Sequence, residues 1–142
     1  MKITQISIFL ENRKGRLYEV FNLLGENEIN VLASTIAETE NFGILRTVVS
    51  HPVKALEILK KAGFAANETH VVVVEVSDKP GELAKMLKLF NDNTLNIEYM
   101  HAFIRRNNNK PCMVFRFEEP DLAIEVLQKN GVNVVSESEM TD

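Results

Sequence analysis

Residues 12–17 read Asn12-Arg13-Lys14-Gly15-Arg16-Leu17, and residues 78–83 read Asp78-Lys79-Pro80-Gly81-Glu82-Leu83. Set glycine on glycine, the two stretches lie 66 residues apart, and the match runs on without a gap. Val20 meets Met86, Leu23 meets Leu89, Leu24 meets Phe90 and Asn27 meets Asn93. The triplet Ile29-Asn30-Val31 then meets Leu95-Asn96-Ile97. Further on the offset becomes 68, with Pro52, Ala55, Leu59 and Gly63 facing Pro120, Ala123, Leu127 and Gly131. The second copy therefore carries two extra residues, and the polar stretch Arg105-Arg106-Asn107-Asn108-Asn109-Lys110 has room for them. A single break in one loop is what duplication of one unit leaves behind. The expected domains are residues 1–69 and 70–142.

Within each copy the hydrophobic period changes in a fixed order. Ile6, Ile8 and Leu10 alternate with Ser7 and Phe9, the period of two that marks a strand. Leu17, Val20, Phe21 and Leu24 then recur at helical spacing, as do Leu83, Met86, Leu87 and Phe90, predicting helices over 15–26 and 81–92. Residues 29–38 and 44–50 read as two strands of a hairpin turning at Asn41-Phe42-Gly43. Pro52 suits the first turn of another helix, with Ala55, Ile58, Leu59 and Ala62 on its apolar face and Gly63 at its C-terminus. A last strand is expected over 64–69, and over 132–137 in the second copy. The order β-α-β-β-α-β, twice, predicts an α+β chain of two ferredoxin-like units, each an antiparallel sheet with both helices on one face. Phe9, Val71 and Val73 fall out of phase with the core positions, which suggests an apolar sheet face opposite the helices and a homodimer that covers it.

Composition narrows the function. The chain has 142 residues, is 45% hydrophobic and carries a formal charge of −4, so a globular protein is expected and neither nucleic acid nor an anionic membrane is a natural partner. The opening Met1-Lys2-Ile3-Thr4-Gln5 enters a strand pattern without the apolar region of a secretory leader, which points to the cytoplasm. The one cysteine, Cys112, reads as a small buried side chain. His51, His70 and His101 share no metal-ligand spacing, and no cofactor motif of the Walker, G-x-G-x-x-G or G-x-S-x-G type occurs, so no metal and no cofactor are expected. Phe115 and Phe117 alternate on one strand as in RNA-recognition modules, but the first copy has Thr47 and Val49 there.

A strand, then D/N-x-x-G-x-L opening a helix, then x-N-I/V opening the next strand, resembles the ACT domain pattern, twice over the whole chain. Asp78-Lys79-Pro80-Gly81 matches the D-x-P-G form, whereas Lys14 replaces the proline in Asn12-Arg13-Lys14-Gly15. The resemblance implies a non-catalytic regulatory module of amino-acid metabolism that binds an amino acid or similar small metabolite and signals to a partner enzyme in trans.

The loop chemistry points the same way. A helix N-terminus offers unpaired N–H groups and the positive end of the macrodipole, a natural seat for a carboxylate. Asn12 and Asp78 stand where a side chain can cap the helix, or where Asp78 can hold an ammonium group. Asn30 and Asn96 recur at a strand start, where asparagine is disfavoured. The expected ligand contacts are thus Glu11, Asn12, Arg13, Lys14, Gly15, Arg16 and Leu17 with Asn30 in the first copy, and Asp78, Lys79, Pro80, Gly81, Glu82 and Leu83 with Asn96 in the second. A ligand touching both copies is expected, with Arg13, Lys14 and Arg16 favouring the first loop. His101 lies on the strand that begins at Asn96 and is a further pocket candidate. The alternatives are a small ferredoxin-like phosphate-handling enzyme of the acylphosphatase type, with Arg13 and Asn30 or Asn12 on the phosphate, and a ligand-free protein-interaction module.

Overall fold

The computed structural model describes every residue except Asn107 and Asp142. The chain separates into two compact units, Thr4–Thr69 and Met1–Ile3 with His70–Asp142. The first holds β1 (Ile3–Glu11), α1 (Arg16–Glu26), β2 (Val31–Glu38), β3 (Phe42–Val49), α2 (Pro52–Lys61) and the start of β4 (Ala65–Glu75). The second holds the rest of β4, then α3 (Glu82–Asp92), β5 (Ile97–Ile104), β6 (Pro111–Phe117), α4 (Pro120–Lys129), β7 (Val134–Val135) and α5 (Glu137–Thr141). Strand order in the first unit is β2-β3-β1-β4 and in the second β5-β6-β4-β7, the same order under the repeat.

In the first unit Ile6, Ile8, Leu10, Leu45 and Val49 of the sheet meet Val20 and Leu24 of α1 and Ala55 and Leu59 of α2. The second unit repeats this with Val72, Val74, Phe115, Phe117, Phe90, Ala123 and Leu127. Phe90 stands edge-on to Phe115 at 5.2 Å and to Phe117 at 5.0 Å, the geometry ring quadrupoles favour. Phe115 and Phe117 are fully buried, so they are core residues and not a base-stacking platform.

The repeated punctuation has matching causes. Gly63 and Gly131 take φ of +88° and +72° just past α2 and α4, and the following N–H groups, of Phe64 and Val132, reach back to Leu59 and Leu127 at 3.0 Å. Asn27 and Asn93 donate their side-chain amides to the carbonyls of Leu23 and Leu89, closing α1 and α3.

Four expectations are corrected. Gly43 is not in the hairpin turn: it lies in β3 opposite Leu10 and Glu38, while Thr39 and Phe42 close the turn. Gly43 is small for a packing reason, since a Cβ there would sit 3.3 Å from Ile36 Cδ1. The last strand of the second copy is only Val134–Val135, because Ser136 starts a helix instead. The Ser136 hydroxyl accepts from Glu139 N at 3.4 Å while the Glu139 carboxylate accepts from Ser136 N at 3.1 Å, a capping box. Val71 and Val73 are fully buried, and of the three residues expected on an open apolar face only Phe9 is exposed, at 45%. Further along β4, Glu75 joins Arg105 at 2.8 Å, and Arg105 also donates to the Glu139 carbonyl of α5 at 3.0 Å. The helix ends at Gly15 and Gly81 are capped by no side chain; Asn12 instead donates to the Glu40 carbonyl at 3.3 Å.

Candidate functional site: the strand-to-helix loops

Both loops are built by one set of backbone bonds. Arg13 N and Lys79 N bond two residues back, to the Glu11 and Ser77 carbonyls, each at 2.9 Å. Gly15 and Gly81 then turn the chain through φ of +86° and +84°, a region costly for any residue with a Cβ. Their carbonyls accept the first helical N–H groups, from Glu19 and Lys85, at 3.0 Å. The glycines serve the turn; nothing lies within 4 Å of where a Cβ would stand.

Beside the first loop is a cleft of about 210 Å³, lined by Leu10, Glu11, Asn12, Arg13, Arg16 and Leu17 with Ile36, Glu38 and Gly43 of the hairpin. It brings together five of the expected first-copy residues; Lys14 and Gly15 are in the loop but not in the lining. Antiparallel pairing explains the hairpin's share, since Leu10 faces Gly43 and Gly43 faces Glu38. Arg16 is four-fifths buried: its Nη1 donates to Glu19 at 2.7 Å and its Cζ lies 4.2 Å from the Phe64 ring centroid. The buried Nε of Arg16 has no acceptor among the described residues. Arg13 is half-exposed, at 3.4 Å from Glu11 and 3.8 Å from Glu19.

The second loop borders a cleft of about 490 Å³, whose lining includes Ser77, Asp78 and Glu82 of the loop and Glu75, Lys110 and Asn133 around it. Glu82 pairs with Lys85 at 3.3 Å. Glu75 is held by Arg105 at 2.8 Å and by Lys110 at 3.3 Å. Burial pushes the Glu75 carboxyl upward, but the Asn133 side chain and the Lys110 and Arg105 charges outweigh it and hold the group below its ordinary 4.5. Lys79, Pro80, Gly81 and Leu83 do not line this cleft, and Leu83 packs against the core.

Asn30 and Asn96 lie outside both clefts. Asn30 N donates to the Ser50 hydroxyl and the Asn30 carbonyl accepts from Ser50 N, each at 2.9 Å, and Asn96 donates its side-chain amide to the Glu118 carboxylate at 3.3 Å, so both fasten the start of an edge strand to the end of its neighbour. His101 stands on β5 opposite Val114, away from either lining. Cys112 is buried, and burial raises its thiol to about 11. Among the described residues no group of three or more His, Cys, Asp or Glu side chains can hold a metal ion, and no helix is long and apolar enough to cross a membrane.

Comparison with known proteins agrees with this duplicated architecture. The family model described as an ACT domain pair matches residues 1–142. The chain belongs to the ACT domain pair family. A solved protein from Bacteroides thetaiotaomicron is 43% identical, with all of this chain and 97% of the other aligned at a TM-score of 0.93. The ligand-free regulatory subunit of aspartate kinase from Thermus thermophilus shares the fold at 19% identity and a TM-score of 0.64, over 89% of this chain and 91% of that one. The corresponding subunit from Thermus flavus aligns at a TM-score of 0.61 and 19% identity, over 89% and 90%. No curated protein matches the chain.

Proposed function

We propose that this ACT domain pair is a non-catalytic sensor that binds an amino acid at the first strand-to-helix loop and passes the bound state to a partner enzyme of amino-acid metabolism. The observation that carries the reading is the first cleft, which combines a helix N-terminus, the Arg16 guanidinium and the Glu11 and Glu38 carboxylates around an apolar wall. An α-amino acid presents one carboxylate, one ammonium group and a side chain, and each finds a counterpart there. At about 210 Å³ the cleft is smaller than the roughly 300–1,000 Å³ of sites for drug-sized ligands, which suits a small metabolite.

Binding in the first cleft favours the arrangement of loop and hairpin that seats the ligand, and a partner that prefers this arrangement responds to the ligand in trans. A homodimer is part of the proposal, since Phe9 and Phe42 of the first unit are 45% and 57% exposed. The buried free thiol of Cys112 suits a reducing, cytoplasmic setting. The phosphate-handling enzyme is the weaker reading: Asn12 and Arg13 both line the cleft, but Arg13 is tied to Glu11 and Glu19, and Asn30 lies outside it.

A thermal-shift screen of the purified chain against the common amino acids tests the reading. A ligand at 100 times its dissociation constant stabilises by about 2.7 kcal/mol, a shift of several degrees. A flat response to the whole set removes the sensor function.

A further inference from the structure

The two clefts border equivalent loops of the repeat, the first completed by Ile36 and Glu38 of the hairpin and the second by Gly131, Val132 and Asn133 beyond α4, and they differ in charge. The first is lined by two carboxylates, Glu11 and Glu38, against two guanidinium groups, Arg13 and Arg16. The second has three carboxylates, Glu75, Asp78 and Glu82, against one ammonium group, Lys110. The decisive exchange is at one register position, where Arg16 of the first copy is Glu82 of the second. Duplication has kept the loop and reversed the charge that follows its glycine.

Arg16 is also prepared for an anion. A guanidinium has five N–H donors. Here Glu19 accepts from Nη1, and Phe64 fixes the plane of the group from one side. Nε is buried without an acceptor among the described residues, so the carboxylate of Glu19 does not use up the group's donors. A planar cation held in place by a ring and a neighbouring carboxylate binds a second carboxylate with little further ordering.

Resting on the amino-acid reading above, we infer that Arg16 takes the ligand carboxylate and that the chain binds one neutral, apolar-side-chain amino acid, in the first cleft and not in the second. Neutrality follows from the balanced lining, which matches a zwitterion and leaves a second ligand carboxylate or ammonium group without a partner. The side-chain class follows from Leu10, Leu17 and Ile36, the apolar part of the lining. A Cβ on Gly43 would lie 3.3 Å from Ile36 Cδ1, so a larger residue at that wall crowds Ile36. In the second cleft Glu82 and Asp78 stand where the carboxylate would lie, and like charges exclude it.

Calorimetric titration of the full chain tests this with L-leucine, L-isoleucine, L-valine, L-leucinamide, L-aspartate and L-lysine. The expected result is one apolar amino acid per chain, with leucinamide, aspartate and lysine at least about tenfold weaker. Arg16→Gln lowers affinity for the apolar amino acid by about tenfold to a hundredfold and brings leucine and leucinamide close to parity, while Arg16→Lys recovers part of the preference. Glu82→Gln leaves all of this unchanged. Two ligands per chain, or an acid-to-amide preference that survives Arg16→Gln, overturns the inference but leaves the sensor function standing. If Arg16→Gln does not fold, the parent protein still decides, because equal affinity for leucine and leucinamide overturns it as well. Failure of the parent protein to bind any common amino acid removes the sensor reading itself, and this inference with it.

Discussion

The guanidinium carbon of Arg16 stands 4.2 Å from the centroid of the Phe64 ring, so the residue after the loop glycine is held by the residue after the glycine that ends α2. The contact links the first-copy loop to the far end of the second helix of the same unit. Phe64 is 7% exposed, which removes most of the water that would weaken a cation over a ring. A double-mutant cycle on Arg16→Gln and Phe64→Leu, read from urea midpoints, is expected to give a coupling of about 0.5–1 kcal/mol. Additive effects within error would mean that the ring does not hold the guanidinium.

Gly15 and Gly81 have almost the same φ, +86° and +84°. Alanine at either position is therefore expected to cost a similar amount, about 1–2 kcal/mol, from left-handed strain alone. Ligand binding should separate them. Gly15→Val distorts the loop that forms the first cleft and abolishes binding, whereas Gly81→Val destabilises its own unit and leaves ligand affinity within about twofold. Chemical denaturation and calorimetry on the four variants check both halves. Equal loss of affinity in the two valine variants contradicts the assignment to the first loop.

Phe9 is the residue of the expected apolar face that remains open, with Ile36 and Phe42 exposed in the same unit. Light scattering at micromolar concentration is expected to give twice the chain mass, and Phe9→Glu to shift the protein to monomer by placing a charge in the contact. A parent protein that stays monomeric rules out the dimer; a dimer indifferent to Phe9→Glu moves the contact elsewhere.

The fold was legible because the signals were local and duplicated. Helices begin one residue after the glycines that were expected to open them, and Pro52 and Pro120 start α2 and α4. What escaped depends on pairing across the sheet. Ile36, Glu38 and Gly43 line the first cleft because antiparallel strands bring the hairpin turn beside the end of β1, and spacing along the chain does not reveal that. Asn30 and Asn96 were visible as a repeated oddity, but they stand outside both clefts, with Asn30 bonding Ser50 through its backbone and Asn96 bonding Glu118 through its side chain. The α5 helix had a readable sign, Ser136 followed three residues later by Glu139, but the periodicity of a preceding strand masked it. Charge reversal between Arg16 and Glu82 was present in the aligned motifs from the start, and became informative only once each side chain was seen to line the cleft beside its own loop.

The second unit carries its own electrostatic signature at Glu75, which meets Arg105 at 2.8 Å and Lys110 at 3.3 Å, while Arg105 also reaches the Glu139 carboxylate at 3.9 Å. Burial alone would raise the Glu75 carboxyl; the Asn133, Lys110 and Arg105 contacts prevail and lower it from 4.5. A depressed carboxyl stabilises the fold fully above its unfolded value and loses that stabilisation as pH falls through the folded one. Glu75→Gln removes the charge while keeping the shape, and leaves Arg105, only 11% exposed, with a weaker acceptor. The expected cost at pH 7 is about 1–3 kcal/mol, typical of a charged hydrogen bond in a partly buried site. Because the parent protein gives up this contribution on acidification, the gap between parent and variant should narrow below pH 4.5. Urea denaturation of both proteins at pH 7 and near pH 3 measures the gap directly. A gap that stays constant across that range would show that the Glu75 charge contributes nothing, and that the variant's loss comes from packing around Arg105 instead.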